Sequence, residues 1–570
     1  MSTNNPPEYD YLIAGAGIAG LYTAYHLNKH FPSARICILE ASAYIGGRLH
    51  TIAYDGIKVD GGGARFNTEQ YRILALVKEL GLDNKKITIP SGDAKYMPIH
   101  SNTPAKYNPS LEQIFPTIDD FIADMQKYIH RENITNQQLI DTSILEFATK
   151  YYSKSHPTIT EYLVARYPYY SELSTLNALE GINLFTNEFS SNMKYFILDG
   201  GLEQLASTIY NQLKLKSNIT IHKETPLESI VKTDDIYIIT GNGNGNGNGN
   251  ENENENKNIF TAKKVILALP KPALSKINYL TQNKDVARMI NSIQTEPLYR
   301  IYARYPIDKK TGKVWFDGLP KIVTNLPIKY IIPNNYKKGV IMITYTDSKF
   351  AKYWFKQVAN GTFETTLTKQ LKMLFPDKNI PKAKWYKHCP WIMGAGYWKK
   401  GLNREDIMPK MIQPLGDEEE IYVCGENYSS HQAWVEGSLE TADMVLAKLG
   451  VDVEYKHKYT HKYTHKYIKK HKHTVKVQKG GKQDGKPKNS SKKQKKYTLD
   501  EVAKHNKKSD AWIVIDGKVA DVTQWIPKHP GGEIIMKGVG KDASKLFHSI
   551  GHDEYAKKMF KKYQIGILDS

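Results

Sequence analysis

The stretch Tyr9–Leu27, YDYLIAGAGIAGLYTAYHL, constrains the fold more than any other part of the chain. It reads as a short apolar strand, a glycine turn and an amphipathic helix, with Gly15, Gly17 and Gly20 at GxGxxG spacing. The first glycine permits a tight turn, the second lets a pyrophosphate approach the backbone, and the third lets the helix pack closely on the strand. Phosphate then sits at the positive end of the helix. A second apolar strand, RICILE, ends in Glu40, twenty residues past Gly20, where a carboxylate reaches ribose hydroxyls. The glycines alone would fit an ordinary turn; with strand, helix and acid in place they predict a dinucleotide site.

Strand and helix patterns alternate from Tyr9 to about Leu449, which predicts an α/β architecture for residues 1–449. The segment 241–258, GNGNGNGNGNENENENKN, has no apolar residue and is expected to be a disordered tip between the strands IYIIT and FTAKKVILALP. Residues 450–496 repeat YTHK and then turn to Lys, Gly, Gln and Ser, the composition of a flexible linker. Residues 497–570 regain an apolar pattern and read as a separate domain.

The net charge of +20 suggests nucleic acid, but its location argues otherwise: Tyr455 to Lys496 holds sixteen lysines against one acid, Asp484. A solvated tether is the simpler reading of that segment, with nucleic acid or an anionic surface as the alternative. No run of apolar residues is long enough to span a membrane, and the start MSTNNPPEYD lacks the order of a signal peptide. A cytoplasmic location is therefore expected. Cys37, Cys389 and Cys424 lie far apart, so neither a disulfide framework nor a zinc site is indicated.

Six segments carry a family likeness: GAGIAG; GGR at Gly46–Arg48; DGGGARF at Asp60–Phe66; DGGLEQL at Asp199–Leu205; VILALP at Val265–Pro270; and CGENYSSHQAWVEGSLETA at Cys424–Ala442. In this order the sequence resembles the flavin-containing amine oxidase superfamily, which includes monoamine, polyamine and L-amino acid oxidases. The resemblance implies a Rossmann-like FAD-binding domain of glutathione-reductase type with an α+β substrate domain. The FAD-binding parts would be about 1–95, 190–275 and 385–449, and the substrate-binding parts about 96–189 and 276–384. It gives Arg48 a contact to pyrophosphate beside Gly47, Gly63 and Ala64 a place along the cofactor, and Glu426 a contact to its sugar part. It sets Trp434 and Val435 against the flavin ring and the Leu227 backbone on adenine, with an ordinary core leucine as the alternative. In GAGYW, glycine stands where monoamine oxidases carry the cysteine bonded to flavin, which implies FAD held without a covalent bond.

The implied chemistry is hydride transfer from the carbon bearing a neutral amine to flavin, giving an imine that water hydrolyses. Tyr397 and Trp434 would be two aromatic walls for the amine, packing aromatics being the alternative. Arg65 matches an arginine that holds the α-carboxylate in L-amino acid oxidases; a structural arginine paired with an acid or a phosphate is the other reading. Arg300 stands where many members place a lysine near flavin N5. Arginine cannot lose its proton, which favours an acceptor other than O2, such as a one-electron acceptor protein. An oxidoreductase acting on an amine or L-amino acid is the leading expectation. A flavoprotein desaturase acting on carbon–carbon bonds and a non-enzymatic redox or binding protein using the basic linker are the alternatives.

The last 74 residues, with HPGG at His529–Gly532 and SIGH ending at His552, resemble cytochrome b5, a small α+β haem domain. The likeness makes His529 and His552 the two axial ligands of haem b, with His548 competing for the second place. Two histidines leave no open position on iron, which implies electron transfer. Trp512, Ile526, Leu546 and Phe547 would be core or pocket residues, and Ala520 replaces a common aromatic. A flexible linker of this length spans about 35–40 Å, enough for substrate electrons to pass from FAD to haem.

Overall fold

The structure, a computed structural model, describes residues 8–89, 94–99, 109–189, 193–242, 257–453, 495–526, 532–549, 560–561 and 563–569. The chain divides into two compact units, Met1–Tyr467 and Ile468–Ser570. Most of the expected linker, 454–494, and the centre of the Gly/Asn insert, 243–256, lie outside the described residues.

The first unit is organised on a seven-stranded sheet. Strand β1 (Glu8–Ala14) pairs in parallel with β2 (Ile36–Leu39) on one side and with Lys257–Leu267 on the other. All four residues of β2 are buried, as a parallel strand covered on both faces requires. Helix α1 (Ile18–His30) links β1 to β2 in the predicted βαβ order. Because β1 has its partners on opposite sides, the strand order switches at its carboxyl end, where open α/β sheets bind ligands. The expected hairpin around the insert is present: Ile236–Asn242 runs antiparallel to Lys257–Leu267.

A second sheet of six strands is antiparallel over its long members. Ile293–Arg304 lies between Val340–Asp347 and Trp385–Trp398. Residues 385–398, expected in the FAD-binding part, pair with a strand expected in the substrate-binding part: Trp385 to Trp398 runs along Ile293–Arg304 from Arg304 to Ile293.

Helices between residues 118 and 187 pack around an apolar cluster that includes Phe121, Phe147, Leu163 and Phe185. Their starts are written locally. Thr117, Thr135 and Ser143 each accept from the third backbone N–H of the following helix, and each donates its own backbone N–H to that third residue's side chain.

The second unit holds a five-stranded mixed sheet whose order is Lys496–Tyr497, Gln564–Leu568, Lys518–Asp521, Asp510–Ile515, Asn506–Lys507. Ala520 is fully buried there, so its small side chain is a packing element.

Candidate active site

The glycine turn is set by backbone need. Gly15 has φ +104°, and a Cβ there would lie 2.5 Å from the Ala268 carbonyl oxygen. An added Cβ on Gly20 would come within 2.0 Å of the Gly15 oxygen. Gly17 differs, since its φ is −72° and the nearest atom to an added Cβ is Gly47 Cα at 4.0 Å. Space in front of Gly17 is thus open. The first turn of α1 has no acidic residue and no side-chain cap, which leaves its N–H groups for an anion. Glu40 is fixed against this turn, accepting from Ala16 N–H at 2.8 Å and from the Ser42 amide and hydroxyl at 2.9 and 2.7 Å.

Arg48 and Glu426 meet. Arg48 Nη1 donates to the Glu426 carboxylate and, at 3.3 Å, to the Gly394 carbonyl. Its Nε and Nη2 have no partner among the described residues. Glu426 also accepts from the Asn427 side chain and, at 3.0 Å, from Ala433 N–H. Gly47 approaches Gly17, and the Gly63 amide donates to the Arg48 carbonyl at 2.9 Å; Ala64 follows, half-buried. An open glycine turn, a free helix start and an arginine with spare donors suit a dinucleotide pyrophosphate. Leu227 stands apart from this group, half-buried at the start of the strand Leu227–Thr233 beside a register shift.

Gly396 leaves no room for a side chain, because an added Cβ would meet Asn427 Nδ2 at 2.3 Å. The next residue, Tyr397, is buried in the same apolar cluster as Trp434. Trp434 caps the helix Val435–Lys448, is 7% exposed, and its Nε1 has no hydrogen-bond partner among the described residues. Val435 beside it is half-buried.

Arg65 faces aromatic rings rather than an acid. Its guanidinium carbon lies 4.9 Å from the ring centre of Tyr195, 5.7 Å from that of Phe189 and 5.8 Å from that of Trp434. No hydrogen bond or ion pair joins it to another described residue. Burial works against its charge, but the hydroxyls of Tyr169, Tyr330, Tyr195 and Tyr345 outweigh burial and keep it protonated.

Arg300, expected near flavin N5, is engaged by the backbone of Asp60 and Gly62 and by Tyr345. Its Nη1 donates to the carbonyls of Gly62 and, at 3.1 Å, Asp60, while Nη2 donates to the Tyr345 hydroxyl at 2.8 Å. The Tyr345 ring lies 4.2 Å below the guanidinium. These donors clamp the Asp60–Gly62 backbone.

Sequence reasoning missed the polar groups near Tyr397 and Trp434. A cavity of about 340 Å³ beside Tyr397 is lined by Glu180, Glu188, Arg404 and His431 among others. His431 sits between Glu188 (3.3 Å) and Glu440 (3.4 Å). Burial alone would raise the Glu440 carboxyl, but His431 and Ser430 hold it at about 2. Glu172, in the short helix Ser171–Ser174, accepts a bond from the Tyr167 hydroxyl. His431 and Glu440 fall inside the segment Cys424–Ala442, whereas Glu172, Glu180, Glu188 and Arg404 lie in none of the six segments; contacts such as His431 with Glu188 come from distant parts of the chain.

The sequence profile described as flavin containing amine oxidoreductase matches residues 18–445. The chain belongs to that family. A cytochrome b5-like heme/steroid binding profile matches residues 498–569. FAD is accordingly the cofactor of the first unit of this flavin-containing oxidoreductase and haem that of the second. An uncharacterized protein of Acanthamoeba polyphaga mimivirus is 23% identical over 510 residues, covering 79% of this chain and 96% of the viral protein. Cytochrome b5 of Rhizopus stolonifer is 49% identical over 74 residues, which are 13% of this chain and 56% of that protein. A putrescine oxidase structure with bound putrescine has a TM-score of 0.58 at 16% identity, covering 78% of this chain and 99% of that one. At that identity the likeness shows the fold.

In the haem unit, Ile513, Ile526 and Val539 are buried, with Ile535, Met536, Leu546, Phe547 and Phe560 half-buried against them. Such an apolar cluster suits a macrocycle. Trp512 belongs to a different cluster and stacks on His505 with ring centres 3.7 Å apart. His529 and His552 lie outside the described residues, as does the side chain of His548.

Proposed function

We propose that the first unit oxidises L-amino acids at the α-carbon, with Arg65 holding the α-carboxylate. One observation carries this reading: a charged guanidinium enclosed by the rings of Phe189, Tyr195 and Trp434, with no acid paired to it among the described residues. The planar fork of arginine binds a carboxylate through two bonds, and Trp434 Nε1 offers a further unused donor in the same wall. Tyr397 and Trp434 orient the amine and exclude water. The glycine turn, Glu40 and Arg48 hold the dinucleotide, and Gly396 leaves it non-covalently bound. FAD supplies the hydride acceptor at this site, and a b-type haem gives the reduced flavin a one-electron outlet. His529 and His552 are the proposed axial ligands.

Anaerobic mixing with amino acids and with their decarboxylated counterparts tests the reading. Flavin absorbance should bleach with amino acids, followed by a shift of the haem Soret band. Equal bleaching by the decarboxylated amines would reject the role of Arg65. A haem that stays oxidised beside bleached flavin would reject the relay.

A further inference from the structure

The buried acids of the first unit are mostly accounted for. Glu180 pairs with Arg404 at 3.0 Å, Glu436 with Arg72 at 3.3 Å, Glu188 with His431 at 3.3 Å, and Glu426 with Arg48. Asp347 accepts two backbone N–H bonds, from Tyr170 at 2.6 Å and Ser171 at 2.7 Å, and Glu296 accepts from Thr175 at 3.1 Å.

Glu172 is 4% exposed and bonds only to the Tyr167 hydroxyl among the described residues. It has no cation of its own, although Arg65 and Tyr397 lie within electrostatic range. Tyr167 and Tyr169 face it from its own segment, Asp347 from the strand Val340–Asp347, and Tyr397 from Trp385–Trp398. The aromatic enclosure is continuous around these groups: Tyr167 contacts Tyr169 at 5.6 Å, Tyr169 contacts Phe189 at 6.3 Å, and Phe189 contacts Trp434 at 5.4 Å. One run of contacting rings therefore links an arginine bonded to no acid, a carboxyl bonded to no cation and an indole N–H without an acceptor among the described residues. A charge so placed is costly unless a ligand completes it or, for the carboxyl, a proton neutralises it.

We propose that Glu172 is a specificity-determining residue that receives a second cationic group of the substrate, making amino acids with a basic side chain the preferred class. The inference rests on Arg65 holding the α-carboxylate, which fixes one end of the substrate and leaves the far end to be recognised. Burial first, and Asp347 after it, push the Glu172 carboxyl up to about 8, with Tyr167 and Arg65 acting in the opposite sense. At neutral pH the Glu172 carboxyl keeps its proton until a cation reaches it. A cation beside it stabilises the carboxylate, so binding releases that proton.

Four substrates separate the two ends: L-lysine, L-norleucine, 1,5-diaminopentane and 1-aminopentane, each mixed anaerobically with the flavin-loaded full chain. The apparent affinity read from flavin bleaching should favour lysine over norleucine by tenfold or more. Glu172→Gln should bring that ratio close to one, and Glu172→Asp should retain part of it. A ratio near one in the unsubstituted protein, or one that Glu172→Gln leaves intact, overturns the proposal. The lysine to 1,5-diaminopentane ratio reads Arg65 separately, so either end can fail alone.

Calorimetry with 6-aminohexanoate, which lacks the α-amine, adds a readout independent of turnover. Run in two buffers of different ionisation enthalpy near neutral pH, it should show proton release that hexanoate and the Gln variant do not produce. Equal release with hexanoate would count against Glu172.

Discussion

Alanine at Gly17 and alanine at Gly20 should do opposite things, although both fall in one motif. At Gly20 the new methyl would sit 2.0 Å from the Gly15 oxygen and 3.1 Å from Ala268 Cβ. Carbon and oxygen need over 3 Å, so α1 must move away from β1 by more than an ångström. Forced overpacking of this kind costs about 1–3 kcal/mol, and it is paid in the FAD-free protein. At Gly17 the methyl meets nothing nearer than 4.0 Å, and the backbone is extended with φ −72°. The FAD-free protein should therefore melt as before. The methyl nevertheless fills the open approach to the helix start, and losing one charge-assisted bond to phosphate costs about 1.5–3 kcal/mol, or roughly 10- to 150-fold in affinity. Thermal melts of FAD-free protein and flavin-fluorescence titrations read the two effects separately. A Gly17→Ala protein that binds FAD as tightly as the original would refute the reasoning, because the open face would then not be the pyrophosphate site.

Gly396→Cys should destabilise the first unit by about 1–3 kcal/mol through its clash with Asn427 and Ile293; acid precipitation should still release the flavin, and flavin retained in the pellet would show that the site relaxes. Arg300→Met strands the Gly62 carbonyl and takes a donor from the Tyr345 hydroxyl, while the Asp60 carbonyl keeps the Tyr302 hydroxyl at 2.8 Å, so denaturant titration should report a loss of about 1–3 kcal/mol; an unchanged midpoint would reject the clamp. Glu440 has a folded-state value near 2 against an ordinary 4.5, so its contribution is present above about pH 4.5 and lost as acid approaches pH 2. Its size is on the order of 3 kcal/mol. Glu440→Gln should therefore lower stability at neutral pH and flatten the acid limb, and parallel pH profiles for the two proteins would contradict the His431 contact.

The local signals in the chain were strong where one short segment carries its own geometry. The βαβ start is written in Tyr9–Leu27, and three helix starts are written in their capping boxes at Thr117, Thr135 and Ser143. A strict glycine spacing and an apolar run of four residues determine turn and strand with no help from elsewhere. Charge location, too, was legible, since lysines crowded into one segment need no fold to be counted.

Assembly decided the rest. Arg48 and Glu426, 378 positions apart, form an ion pair, and Arg300 spends its donors on a backbone 240 positions earlier. Whether an arginine meets an acid, a carbonyl or an aromatic ring depends on which strands pair, and residue type alone leaves all three open. Arg65, Glu172 and Trp434 illustrate this most plainly. Their chemistry depends on what packing sets beside them: aromatic rings around Arg65, one tyrosine hydroxyl on Glu172, and no acceptor for Trp434 Nε1 among the described residues.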